Sequence, residues 1–148
     1  MNNEKRLRCM FDDAMKLRNA GDLIGARRLL ESLVERLAAD DRSLLSHAHS
    51  QLGHICQRLA HHCEREAHFR AAVAATPDYD LPSLGLFEAL YDQGRRTEAF
   101  QEMARLMRLS YSRDYAEIVS VIDSDKLTEA QRKLVAEVRR AVARRRRN

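Results

Sequence analysis

The side chains best suited to chemistry are crowded into one stretch of this sequence. All six histidines, His47, His49, His54, His61, His62 and His68, fall within 22 residues, with Cys56 and Cys63 among them. Imidazole and thiolate are the usual protein ligands of zinc, which needs three or four donors converging from i, i+4 pairs on a helix or from CxxC knuckles. The histidines and cysteines here form neither pattern. His47, His54, His61 and His68 recur every seven residues, nearly two helical turns, so His47 and His54 share a face. His61, however, falls at a predicted turn and His68 on the returning helix. No metal or other cofactor is expected, and the histidines read as solvated or groove-facing groups that titrate near the ordinary imidazole value.

Other constellations give no reaction. The sequence contains no Gly-rich phosphate loop, no GxSxG elbow and no HExxH. Glu31 with Glu35 and Glu98 with Glu102 stand at i, i+4, but Arg27, Arg28, Arg36, Arg95 and Arg105 beside them favour ion-paired surfaces over acid–base work. Cys9, Cys56 and Cys63 are an odd set with no CxxC pair, suited to packing as small apolar residues in a reducing compartment. The expectation is a protein that is not an enzyme.

The 148 residues are one domain's worth of chain, 45% hydrophobic and 32% charged. Charge is too evenly mixed and apolar content too high for disorder, and no apolar run approaches the ~20 residues of a membrane span. Residues 1–6 lead into a polar helical pattern without an apolar signal core, so a cytoplasmic chain is expected. The net charge of +4 is unevenly placed. Six of the 26 Lys and Arg are arginines between Arg139 and Arg147, leaving 20 against 22 acids, so the body is slightly acidic.

Five glycines, two prolines and an abundance of Ala, Leu, Arg and Glu predict helix almost throughout. Leu7, Met10, Phe11, Ala14 and Leu17 form one apolar stripe, and Leu23, Ala26, Leu30, Leu33 and Leu37 a second. Between them, Gly21 suits a left-handed helix end and Asp22 a cap. Further breaks near residues 39–43, 61–62, 76–80, 93–95, 110–112 and 123–125 delimit about eight helices. Thr128 and Gln131 offer a capping box for the last, whose stripe is Leu134, Val135, Val138 and Val142. Short connections predict antiparallel neighbours.

Spacing turns this list into an architecture. Gly21 precedes Ala26 by five residues, as Gly94 precedes Ala99, and Leu30 and Leu33 correspond to Met103 and Leu106. Leu52 to Leu86, Phe69 to Met103 and Ala72 to Leu106 are offsets of 34, while the first unit stands 39 residues before the second, its loop carrying about five extra residues. Leu52, Gly53, Phe69, Ala72 and Pro77 match the pattern of tetratricopeptide repeats, and over about residues 7–113 the chain resembles that family. It departs from the pattern in having no Trp, in Arg65 at a small-residue position, and in Phe87 where the previous unit has Gly53.

The resemblance implies an all-α fold of antiparallel helix pairs stacked as a short right-handed solenoid. One domain would hold repeats at about 7–40, 46–79 and 80–113, a capping pair at 114–143 and a basic tail at 144–148. It also implies a concave groove lined by the first helix of each pair. Register assigns to it Arg8, Phe11 and Arg18, then His47, Ser50, His54, Gln57 and Arg58, then Glu88, Tyr91 and Asp92. Such a mixture of anchors and charges suits a protein partner. The expected role is a non-enzymatic binding module, of the kind found among bacterial immunity proteins that neutralise a toxin in contact-dependent growth inhibition. The alternatives are a secretion chaperone with tetratricopeptide repeats, or weak nucleic-acid binding through the arginine-rich end. Oligomeric state is open, since the last helix could cap the stack or dimerise.

Overall fold

The computed structural model describes residues 2–148, and among them the protein is all-α: eight α-helices, one 3-10 turn and no strand. Two compact units divide the chain at Thr76 and Pro77.

The first unit holds α1 (Asn3–Asn19), α2 (Leu23–Arg36), α3 (Arg42–Arg58) and α4 (His62–Ala75). Short polar side chains start three of them: Asn2 accepts from the Lys5 amide, Asp22 from Gly25 and Asp41 from Leu44. Each satisfies an amide that the first helical turn leaves without a partner. α1 and α2 pack antiparallel, bringing Arg36 at the end of α2 back to Met10. α3 and α4 do the same, and the Ser46 hydroxyl meets the Ala72 carbonyl at 3.2 Å and the Thr76 hydroxyl at 2.6 Å. Leu7, Ala14, Ala26, Leu30, Leu33, Leu44, Ala48, Leu52 and Ile55 make the core. Phe69 is fully buried beside Gly53, where an added Cβ would stand 2.7 Å from the ring. That close approach is why the position is glycine.

The second unit holds α5 (Asp80–Asp92), α6 (Arg96–Leu109), α7 (Arg113–Val121), a 3-10 turn (Ser124–Lys126) and α8 (Glu129–Arg147). Its interior is aromatic. Phe87 packs against Phe100 and Tyr115, and the buried Tyr115 hydroxyl meets Ser83 Oγ at 2.8 Å. Thr128 and Gln131 form the expected capping box at the start of α8. Val135, Val138 and Val142 are buried, and α8 runs on through the arginines to Arg147.

Three helix turns share one construction. At Gly21, Ala60 and Gly94 the chain takes a positive φ of 87°, 59° and 76°. Each of these amides returns to the carbonyl three residues back, and the next amide to the carbonyl five back. This is the paired closure that ends a helix through a left-handed residue. The first two turns lie 39 residues apart and the last two 34, the offsets seen in sequence. Matching second helices also meet at that interval: Arg27 on α2 reaches His61 at the cap of α4, and Gln131 on α8 reaches Thr97 on α6.

Candidate functional site

The side chains at the C-terminal ends of α1 and α3 form a basic hollow on the first unit. Arg18, Asn19, Gly21, His54, Ile55 and Arg58 line about 400 Å³. The turn at Gly21 ends α1 so that Arg18 and Asn19 face the last turn of α3, which carries His54 and Arg58. Arg18 donates to Gln51 Oε1 and, at 3.1 and 3.3 Å, to Asn19 Oδ1, all neutral acceptors. None of the lining side chains is a carboxylate, so the positive charge is not neutralised within the hollow. His54 lies edge-on to Phe69, with ring centroids 5.1 Å apart. Desolvation against this ring, then the Arg18 and Arg65 cations, pull its imidazole below the ordinary value, partly countered by a hydrogen bond with Gln57. A neutral imidazole between two guanidinium groups can hydrogen-bond a carboxylate or carbonyl that the arginines attract.

Other residues assigned by register are spread more widely. On α1, exposed Arg8 pairs with Glu4 at 3.3 Å, and half-buried Phe11 packs against the core with its ring edge toward His47. Ser50 is half-buried on α3, while His47 and Gln57 are exposed. Thus Arg18, His54 and Arg58 are drawn together, and Arg8, Phe11 and His47 lie nearer the opposite end of their helices. Glu88, Tyr91 and Asp92 are exposed on α5 of the second unit.

No family model matches this sequence, and no curated protein matches it. What the chain can do therefore rests on its own geometry.

The histidine cluster resolves into parts with different surroundings. His49 on α3 and His68 on α4 face each other with Nδ1 atoms 3.1 Å apart, so one ring donates to the other. Burial pushes both imidazoles below their ordinary value, and the charge of His68 adds to the effect on His49. His61 turns its Nδ1 to Arg27, which also holds Glu31 and Glu64. Among the described residues no three His, Cys, Asp or Glu side chains are placed to hold a metal ion. The His49–His68 pair escaped the seven-residue count because its members are 19 apart, on two helices whose pairing depends on the turn at Ala60. Cys56 is buried and its thiol is pushed up by that burial, whereas Cys9 and Cys63 are exposed. Glu31 is held by Arg27, Glu98 by Arg95 and Glu102 by Arg105, so these carboxylates serve ion pairs.

A second concavity, in the second unit, was not visible in the sequence except for Tyr91. It encloses about 550 Å³ between α5, α6, the end of α7 and the 3-10 turn. Phe87 and Phe100 form its floor, with Tyr91, Ile118, Val121, Ile122 and Leu127 as walls. The mostly apolar stretch Ile118–Ile122, followed by Leu127, is the signal that could have exposed it. No helix of the described chain is long and apolar enough to cross a membrane.

Proposed function

We propose that this chain is a non-enzymatic helical-repeat module that binds another protein through the basic hollow between α1 and α3. The observation carrying this reading is the convergence of Arg18, His54 and Arg58, two cations and a hydrogen-bonding imidazole with no carboxylate among them. A hollow of that character suits an acidic side chain, or a helix C-terminus, projecting from a folded partner. Arginine is also favoured at binding hot spots because its planar fork can engage a carboxylate at two points. The specific role we favour is that of a cytoplasmic bacterial immunity protein neutralising a toxin domain. The uncompensated charge of the hollow suits a folded, charged partner better than the extended apolar segment a secretion chaperone would escort.

The test begins with recovery of partners from the native host by pull-down and mass spectrometry, followed by Arg58→Glu. Arg58 is exposed at the last position of α3, so the reversal should cost no more than about 1 kcal/mol against the helix dipole while weakening binding at least tenfold, a magnitude within the range of charge pairs at interfaces. Unchanged affinity in folded Arg58→Glu and Arg18→Gln proteins would sink the hollow as the docking site. A toxin encoded beside the gene favours immunity, and secretion apparatus in its place favours the chaperone reading.

One observation favours a second reading. Arg145 lies over the Tyr111 ring at 5.2 Å, and exposed Arg140, Arg144 and Arg147 continue the same helix. A cationic surface with an aromatic face fits single-stranded nucleic acid. Binding of that kind would weaken steeply with salt, and would survive Arg58→Glu.

A further inference from the structure

The aromatic cavity of the second unit has a chemistry of its own. Its floor is buried Phe87 and Phe100, and its wall reaches the surface at Val121, which is 81% exposed, and Tyr91, which is 40% exposed. An apolar side chain as exposed as Val121 gains nothing from folding alone, so this rim is where a ligand's apolar body would add burial. Two cations stand beside the opening. Arg96 lies over the Tyr91 ring at 5.2 Å, and Lys126 projects from the 3-10 turn. Neither forms an ion pair with a carboxylate among the described residues. The one lining carboxylate, Asp123, accepts from the Asp125 amide at 3.0 Å and so caps that turn. The opening therefore carries two cations against one acid.

We infer that this cavity, walled by Phe87, Tyr91, Phe100 and Val121 and flanked by Arg96 and Lys126, binds a small amphiphilic carboxylate, its hydrocarbon body inside and its anion at the two cations. The volume of about 550 Å³ lies within the ~300–1,000 Å³ usual for small-molecule sites, which are mostly apolar with a few placed polar groups. Charge complementarity selects the anionic class. A neutral alcohol would fill the same walls but offer neither cation an anion, and a quaternary ammonium would be repelled. Ligation here goes beyond protein docking on the first unit and does not depend on it.

Titration calorimetry of the full chain with decanoate, 1-decanol and decyltrimethylammonium tests the assignment. Decanoate should bind about tenfold more tightly than decanol, the factor expected of a charge-assisted hydrogen bond, and the ammonium compound should bind weakest. Arg96→Gln with Lys126→Gln should abolish the preference for decanoate while leaving decanol binding in place. Val121→Asp, at an 81% exposed position, should weaken both ligands in protein that still unfolds cooperatively. Equal affinity for decanoate and decanol, or no binding of decanoate to the folded protein, overturns the proposal. So does a dimer in sedimentation that Val121→Asp dissolves and decanoate does not, which would give the patch to a second copy of the chain.

Discussion

The two units solve the same packing problem with opposite materials. In the first, a glycine makes room for a large ring: Gly53 on α3 lets Phe69 of α4 lie against the helix backbone. In the second, the positions 34 residues later are Phe87 and Met103, so bulk has moved to the first helix of the pair and the second helix carries a buried flexible side chain at the matching position. Polar ties follow the same division. The first unit joins its helices through imidazole and guanidinium groups, as in His49–His68 and Arg27–His61. The second, which has no histidine, also uses guanidinium groups, as in Arg108–Glu137, but adds an aromatic cluster with a buried phenol. One backbone plan thus supports a basic hollow on one unit and an apolar cavity on the other.

The largest expected effect comes from removing the ring that the glycine accommodates. Phe69→Ala should destabilise the first unit by about 3–5 kcal/mol, the usual cost of emptying a buried aromatic site. Denaturant unfolding followed by amide exchange should place the loss in α3 and α4; equal loss of protection in α5 and α6 would break the division into two units.

Tyr115→Phe is the corresponding cut in the second unit. It removes the hydroxyl that meets Ser83 and should cost about 1–2 kcal/mol, because the buried serine loses its partner. Measured stability within error of the parent would show that this hydrogen bond contributes little.

Proton linkage separates the units further. His49 and His68 are held below the ordinary value of 6.5, so the unfolded chain binds more protons in acid than the folded one. Their contribution is present above pH 6.5 and is lost as pH falls through the lowered folded values. Burial raises the Tyr115 phenol well above its ordinary 10.0, so its contribution is lost as pH rises past 10. Exchange protection should therefore fall first in the first unit on acidification, whereas in alkali the raised Cys56 thiol of the first unit and the raised Tyr115 phenol of the second both contribute. Replacing both His49 and His68 with Asn should reduce the acid limb and leave only the share of His54, whose imidazole is also lowered, and an unaltered limb would assign it to other groups.

The smallest effect concerns the three matching turns. Ala60 holds a left-handed φ of 59° where the other two turns have glycine. Relief of about 1–2 kcal/mol of strain, offset by ~0.5–1 kcal/mol of extra unfolded-state entropy, gives Ala60→Gly a net gain of about 0.5 kcal/mol. A lower melting temperature would mean that the methyl packs favourably enough to outweigh the strain.

Helices and their ends were legible because their signals are local. Periodic apolar residues, Gly21, Asp22 and the Thr128–Gln131 box each act within a few residues of themselves. The turn at Ala60 was harder to place, since alanine carries no mark of a left-handed residue, and it read as a break near His61. Arg18, His54 and Arg58 were reachable from the repeat register, because a constant helix spacing brings equivalent faces together. The aromatic cavity was not, except for Tyr91, because its far wall comes from α7 and the turn after it, beyond the 34-residue pattern. Nor was the role of Arg139 legible. Counted with the terminal arginines, it in fact donates to the carbonyls of Val119 and Ile122 at 2.7–3.0 Å and to Ser124 Oγ at 2.7 Å.

That clasp has a mechanical consequence. α7 has only nine residues, and its last carbonyls are answered by a guanidinium from α8 instead of by another turn of its own. Ile122, whose carbonyl is held, also walls the aromatic cavity. The placement of that wall therefore depends on a side chain from a different helix, so a change that dislodges Arg139 from α8 should loosen the cavity.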